Sequence, residues 1–203
     1  MAQVRPYRGV EATERLAQRR RRLLEAGLDV LGSGAELTVR AVCRRAGLTV
    51  RYFYESFTDR DDLVGAVFDW VIADIAATTQ AAVAAAPADE QSRAGMANVV
   101  RAVAADTRVG RLLFGVELSD AVIVRKRAES TALFAALLFA HAGELGAQHN
   151  DVVKAVSHFA VGGVGQTISA WLSGAVRLTP EQLVDQLAAT LDALAEPTRY
   201  RET

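Results

Sequence analysis

Apolar positions along this chain recur every three to four residues, the period of an amphipathic helix. Leu24, Gly27, Leu28 and Leu31 fall on one face of a helix that leads out of an arginine run and is ended by Gly32-Ser33-Gly34. Val39, Val42, Cys43 and Ala46 make the inward stripe of a second, short helix, with Thr38 as its cap. Gly47 lies just past its end, where a left-handed residue turns the chain sharply. Thr49 caps a third helix from Val50 to about Glu55, and Thr58 with Asp61 three residues on forms a capping box that opens a fourth.

The fourth segment, 58–86, carries two stripes: Leu63, Ala66, Val67 and Trp70 on one side, Val64, Val67, Phe68, Val71 and Ile75 on another. A helix apolar on two sides touches two bodies. Pro87 and the residues after it read as a loop. The pattern then predicts helices near 92–105, 107–117, 120–146, 151–174 and 180–195. Thr179, Pro180 and Gln182 occupy the cap, first and third positions of the last. The fold class expected is all-α.

Composition narrows the function classes. The 203 residues are 51% apolar and 23% charged, which excludes bulk disorder. Cys43 is the single cysteine, so no intrachain disulfide forms and a reducing compartment is expected. The N-terminal stretch lacks the apolar core of a secretory signal, which points to a cytoplasmic protein. Between Lys154 and Arg177 the chain carries no formal charge, about the length of a bilayer span. Its His158, Gln166, Thr167, serines and glycines suit a helix packed between protein surfaces instead, and no membrane partner is expected.

Net charge is −1, but the average hides a division. Residues 1–60 hold 12 Arg against 7 Asp and Glu, whereas residues 61–203 hold 11 Lys and Arg against 17 acids. Such asymmetry marks a basic binding head on a body with another task, or simply a solvated basic face. The spacing within the head decides between them. Helix, Ala-Gly-Leu turn and Thr-capped helix is the spacing of a helix-turn-helix, whose second helix must keep long polar side chains free. Arg51, Tyr52 and Tyr54 meet that demand, while Phe53 and Phe57 anchor inward.

The segment TVRAVCRRAGLTVRYFYESFTDRDDLVGAVFD resembles the signature of the tetracycline-repressor (TetR) family of bacterial transcription regulators. Thr38, Arg40, Ala46, Gly47, Thr49, Tyr54, Phe57, Arg60 and Leu63 stand at the matching places, within a resemblance covering about residues 15–75. It departs from the family where Ser56 replaces a frequent His and Tyr52 a frequent small residue, so operator preference does not carry over.

The resemblance implies a helix-turn-helix head over residues 1–60 and a regulatory, ligand-binding and dimerising body over 61–203, linked by the helix at 58–86. It places Thr38, Arg40, Thr49, Val50, Arg51, Tyr52, Tyr54 and Arg60 at the DNA. In that reading Thr38 and Thr49 offer hydroxyls and helix N-termini to phosphates, Tyr54 touches phosphate, and Arg51 and Tyr52 read base edges. Arg5 and Arg8 form either an arm to the minor groove or a plain basic tail. One or two of Arg19, Arg20, Arg21 and Arg22 approach the backbone, because successive helical residues diverge by about 100°.

A pocket for a small apolar effector is implied among Trp70, Phe114, Phe134 and Trp171, with Arg111, His141 and Gln166 as polar orienters. The same aromatic residues also suit a plain core. Dimerisation is read from the residues themselves. Gly162, Gly165, Ser169 and Ser173 share one helix face, flanked by Val164, Ile168 and Trp171, while Leu183, Leu187, Leu191 and Leu194 stripe the next helix. Paired with their two-fold mates, these helices make a four-helix bundle, giving Gly162, Gly165, Ile168, Ser169, Leu187 and Leu191 to the interface; the alternative is that both stripes fold into the core of a monomer.

No nucleophile–base pair emerges, so no enzyme is expected. His141 and Glu144, His149 and His158 lack a tight ligand spacing, and Gly162–Gly165 follows no strand and ends in no Lys-Thr, so neither metal nor cofactor is expected. The expectation is a homodimeric repressor on an inverted-repeat, double-stranded DNA operator, released by a small effector. The rival reading is a helical ligand-binding or interaction protein whose helix-turn-helix no longer binds DNA.

Overall fold

The structure, a computed structural model, describes residues 8–115, 117–144 and 150–195. Among the described residues the chain is helical throughout: α1 (Arg8–Gly32), α2 (Val39–Ala46), α3 (Val50–Tyr54), α4 (Arg60–Ala85), α5 (Gln91–Ala105), α6 (Thr107–Phe114), α7 (Ala121–Glu144), α8 (Asp151–Leu172) and α9 (Pro180–Ala195). A single 3-10 turn, Ala88–Glu90, follows Pro87. Arg5 and His149 lie outside the described residues.

α1 runs farther back than its apolar stripe. Its first half is rich in Ala, Glu and Arg, good helix formers, and residues 13–18 are all exposed, so hydrophobic period cannot register such a half. The cap of α4 also sits one residue later than expected. Asp59 Oδ1 accepts from Asp62 N at 2.8 Å, and Asp62 Oδ2 reaches back to accept from Thr58 N at 2.9 Å. The cap is therefore Asp59, not Thr58, and Asp62 rather than Asp61 is its partner, reaching past the cap to the Thr58 amide. Thr179 and Gln182 do form their reciprocal pair, at 3.0 and 3.2 Å.

One apolar cluster joins Leu23, Leu28 and Leu31 of α1, Val42 and Cys43 of α2, Phe53 and Phe57 around α3, the α4 stripe from Leu63 to Ile75, and Leu112, Val122 and Ile123 beyond. The three N-terminal helices thus share a core with the start of the body. α4 packs against α1, α5, α6 and α7, and residues of both stripes are buried, Leu63 of one and Val64, Phe68, Val71 and Ile75 of the other. α4 alone among the described helices is long and apolar enough to cross a membrane; its apolar residues from Leu63 to Ile75 include seven buried against the other helices, Leu63, Val64, Val67, Phe68, Val71, Ile72 and Ile75. A second cluster gathers Val100 and Val103 of α5, Ile168 of α8, and Leu183, Val184 and Leu187 of α9.

That second cluster corrects the expected dimer surface. Ile168 and Leu187 are 0% and 5% exposed, inside the protomer, because α5 rather than a second copy covers the α9 stripe. Leu191 is half-buried. The small-residue face of α8 exists, but its C-terminal half is already covered by the end of α6. Ser169 Oγ donates to the Phe114 carbonyl at 3.0 Å, and a Cβ at Gly165 would meet the Phe114 ring at 3.8 Å. Gly162 and Gly163 face open space, between Phe159, 70% exposed, and the exposed Gln166.

Candidate nucleic-acid interface

The helix-turn-helix forms as its sequence dictates. Thr38 Oγ1 accepts from Ala41 N at 3.1 Å, starting α2. Gly47 ends it at φ 62°, a left-handed conformation that costs glycine nothing and a residue with Cβ roughly 1 kcal/mol or more. Its amide donates to the Arg44 carbonyl, while Leu48 N donates to Cys43 at 2.9 Å, so the turn satisfies the helix-end carbonyls. Val42, Cys43, Ala46, Phe53 and Phe57 are buried between the helices. Burial pushes the Cys43 thiol up from its ordinary value, which keeps it protonated and unreactive.

The outer side of α3 is what this packing leaves free. Arg51 is 86% exposed, Tyr54 59% and Val50 40%. Thr49 occupies the cap position of α3 without a side-chain cap bond, so its exposed hydroxyl is uncommitted to the helix, contrary to the capping role expected. Arg40 is exposed one turn away on α2, beside Thr38. The Tyr54 ring stands edge-on to Phe53, centroids 5.3 Å apart.

Tyr52 and Arg60 are placed otherwise than expected. Tyr52 is half-buried and turned toward α1, where the Arg19 guanidinium lies 3.9 Å from its ring centroid; at one turn from Ser56 the ring's position on α3 faces the arginine run rather than outward. Arg60 is engaged on every side. Its Nε donates to the Leu37 carbonyl at 3.2 Å, Nη1 to Asp61 at 2.6 Å, and Nη2 to Asp120 at the start of α7. It ties the α1–α2 connection and α4 to the body instead of reaching for phosphate.

The arginine run likewise fastens α1 onto the motif. Arg19 pairs with Glu55 at 3.3 Å, Arg20 donates to the Ser56 carbonyl at 2.6 Å and lies over Phe57, and Arg22 donates to the Ala46 carbonyl at 2.6 Å. Only Arg21 of the four fits the solvated charge expected of most of the run. These clamps leave no trace in helical spacing, because their acceptors, the Glu55 carboxylate and the Ser56 and Ala46 carbonyls, lie 24 to 36 residues away.

A second set of contacts that sequence reasoning missed joins α1 to α6. Asp29 accepts from Arg45 Nε at 2.6 Å and also pairs with Arg108 of α6, which in turn grips Asp106. Burial alone would raise the Asp29 carboxyl, but the bonds from Arg45 and Arg108 outweigh it and hold it below the ordinary carboxylate value. The bond from Arg108 does the same at Asp106, and the pairing with Asp29 and Asp106 raises Arg108 further. Asp120 is also held low: burial opposes, and Arg60 with the Val122 amide prevails.

In the body the aromatic candidates converge and the polar ones do not. Trp70, Phe114 and Phe134 pack on the first cluster, and Phe114 with Trp171 on the second. Trp171 Nε1 donates to the Leu178 carbonyl at 2.8 Å. Arg111 is exposed and donates to the Gly32 carbonyl at 2.9 Å, because one turn of α6 brings it to the end of α1. Gln166 is exposed on α8, and His141 is half-buried on α7. Arg127 went unnoticed in the sequence: it donates to the Leu112 and Gly115 carbonyls at 2.8 Å each, capping α6, and burial lowers its pKa. Among the described residues no three His, Cys, Asp or Glu side chains gather as metal ligands.

No family model and no curated protein matches this chain. Solved structures do. A protein of Syntrophomonas wolfei named as a TetR-family transcriptional regulator aligns at TM-score 0.73 and 15% identity, over 88% of this chain and 95% of its own. A transcriptional regulator of Pseudomonas aeruginosa aligns at TM-score 0.68 and 23% identity, over 91% and 95%. The regulator FadR of Bacillus subtilis, solved in complex with stearoyl-CoA, aligns at TM-score 0.65 and 14% identity, over 87% and 97%. The chain has the all-α fold of TetR-family regulators.

Proposed function

We propose that the protein is a ligand-responsive, DNA-binding transcription regulator of the TetR type, acting in the cytoplasm as a homodimeric repressor. The observation that carries this reading is the exposed outer side of α3, where Arg51 and Tyr54 project beside the Thr38-capped start of α2. A guanidinium in that position suits the acceptors of guanine in the major groove, and the Tyr54, Thr38 and Thr49 hydroxyls suit phosphate. Arg40 adds a positive charge at the same edge.

Function divides between residues 1–60, which meet DNA, and residues 61–203, which sense and dimerise. The open N-terminal half of α8, with Val152, Phe159, Gly162 and Gly163, is the dimer contact, since small residues beside one large ring let two helices approach closely. A two-fold dimer sets two α3 helices in successive major grooves and therefore reads an inverted repeat. The effector is a small, mostly apolar molecule held near Phe114, where both clusters meet; a stearoyl-CoA complex in one fold neighbour supports an effector of that character. Because α6 grips α1 through Arg108 and Arg111, an effector that moves α6 changes how the head sits. A coupling of about 1–3 kcal/mol weakens operator binding 5–150-fold.

A mobility-shift titration with the intergenic DNA upstream of the protein's own gene tests this, repeated with acyl-chain and aromatic ligands. A salt-sensitive shift reversed by one of them is the expected result. A ligand that binds the body while no DNA shifts at any salt concentration would instead establish a ligand-binding protein with a silent helix-turn-helix.

A further inference from the structure

The C-terminal end of α3 carries an acid where two considerations argue against one. Glu55 is the C-cap residue of the helix, the end where partial negative charge already accumulates. It also stands on the face proposed to meet the polyanionic backbone. Its two oxygens are separately occupied: Oε2 by Arg19 Nη1 of α1 and Oε1 by Arg51 Nε of α3, each at 3.3 Å. Arg51 is 86% exposed and has no other ion pair among the described residues. Exposed pairs of this kind contribute little to folding. The carboxylate therefore does more for the two guanidiniums than for the stability of the helix.

We infer that Glu55 is a specificity-determining, positioning residue: it holds Arg51 in one direction and cancels charge at the DNA face, so that phosphate contact alone binds weakly. This rests on the DNA reading above. Sequence-independent affinity comes from cations that displace counterions, and one more uncompensated guanidinium adds roughly one such contact. Base readout needs the guanidinium directed rather than merely charged. With Glu55 in place, a partner of Arg51 must displace the carboxylate, which repels an anionic phosphate and does not repel the neutral acceptors of a guanine edge. Arg19, held by the same carboxylate and stacked on Tyr52, is kept from the backbone in the same way.

The test compares the full-length protein with its Glu55→Gln variant on two duplexes: a sequence enriched by the wild type from a randomised library, and a scrambled version of it. Glu55→Gln is expected to tighten binding to the scrambled duplex about threefold to tenfold at 0.1 M salt, with the log–log salt slope steeper by about 0.9. Affinity for the enriched sequence should change less than twofold, so discrimination falls. In an Arg51→Gln background the same substitution should give a clearly smaller gain, because part of its effect acts through Arg51. Equal shifts on both duplexes, no shift on either, or an undiminished gain without Arg51 would each overturn the role of Glu55. Melting curves of both variants matching the wild type exclude a folding effect. Failure of the wild type to enrich any sequence is a separate outcome and removes the DNA reading itself.

Discussion

Arg111 of α6 donates its guanidinium to the carbonyl oxygen of Gly32, the last residue of α1, at 2.9 Å. The carbonyl is one of the unpaired acceptors that end a helix, and the cation answers it from α6. Gly32 permits the approach. A Cβ there would lie 2.5 Å from the Arg108 Cβ and 2.9 Å from its Cα, so backbone as well as side chain would have to yield.

Gly32→Ala should therefore push α6 from α1. A loss of about 1–3 kcal/mol is expected from overpacking of this kind, together with weaker operator binding in the absence of any effector. Thermal melting and a mobility shift read the two effects. Unchanged melting and unchanged affinity would mean that the α1–α6 junction transmits nothing.

The acid limb of stability should report the carboxylates paired with arginine at the α1–α6 junction and at Arg60. Asp29, Asp106 and Asp120 are all held below the ordinary carboxylate value of 3.8 by arginine bonds. Their depressed folded values mean that they favour the folded state above 3.8, and that this stability is lost as pH falls through the lower folded values. Denaturant midpoints measured between pH 7 and pH 2.5 should hold steady and then drop below about pH 4. Asp120→Asn should lower the neutral-pH plateau and flatten the drop. A variant whose acid limb superimposes on the wild type after normalisation would show that Asp120 does not contribute.

At the DNA face, two substitutions should part company. Tyr54→Phe removes the hydroxyl proposed to meet phosphate and should weaken binding about equally on all operator variants. Arg51→Ala should cost roughly 1–3 kcal/mol and relax preference at one position per half-site. Retention of full affinity and preference by both would mean that α3 is not the recognition helix.

Much of this was legible in the chain. Element order followed from the helical period, and Thr38, Gly47 and Thr179 announced their caps because each turn has a single chemical solution. What could not be read was the partner of each face. The stripe Leu183, Leu187 is equally apolar whether α5 or a second copy covers it, and α5 covers it. Arg60 and the 19–22 run look like free cations by type, yet their acceptors, Leu37, Ser56 and Ala46 carbonyls among them, come from distant turns. Tyr52 carries a polar tip fit for a groove, and only the placement of Arg19 shows it turned inward.

The proposed dimer contact is the part of α8 that remains uncovered. An Arg at Gly165 would strike Phe114 inside the protomer and so would test packing rather than association. Phe159→Asp is the cleaner probe, since this ring is 70% exposed and its loss should leave the fold intact. Sedimentation at micromolar concentration should show a dimer for the wild type and a monomer for the variant. A wild-type monomer, or an undisturbed variant dimer, would place the contact elsewhere or remove it.

Hydroxyl-radical footprinting of the wild-type protein on its bound DNA measures the arrangement most directly. Two protected patches related by a two-fold axis are expected, centred about 34–36 Å apart or a multiple of it, over an inverted repeat. A single patch without symmetry, or protection independent of sequence, would contradict a dimer that reads its operator through paired α3 helices.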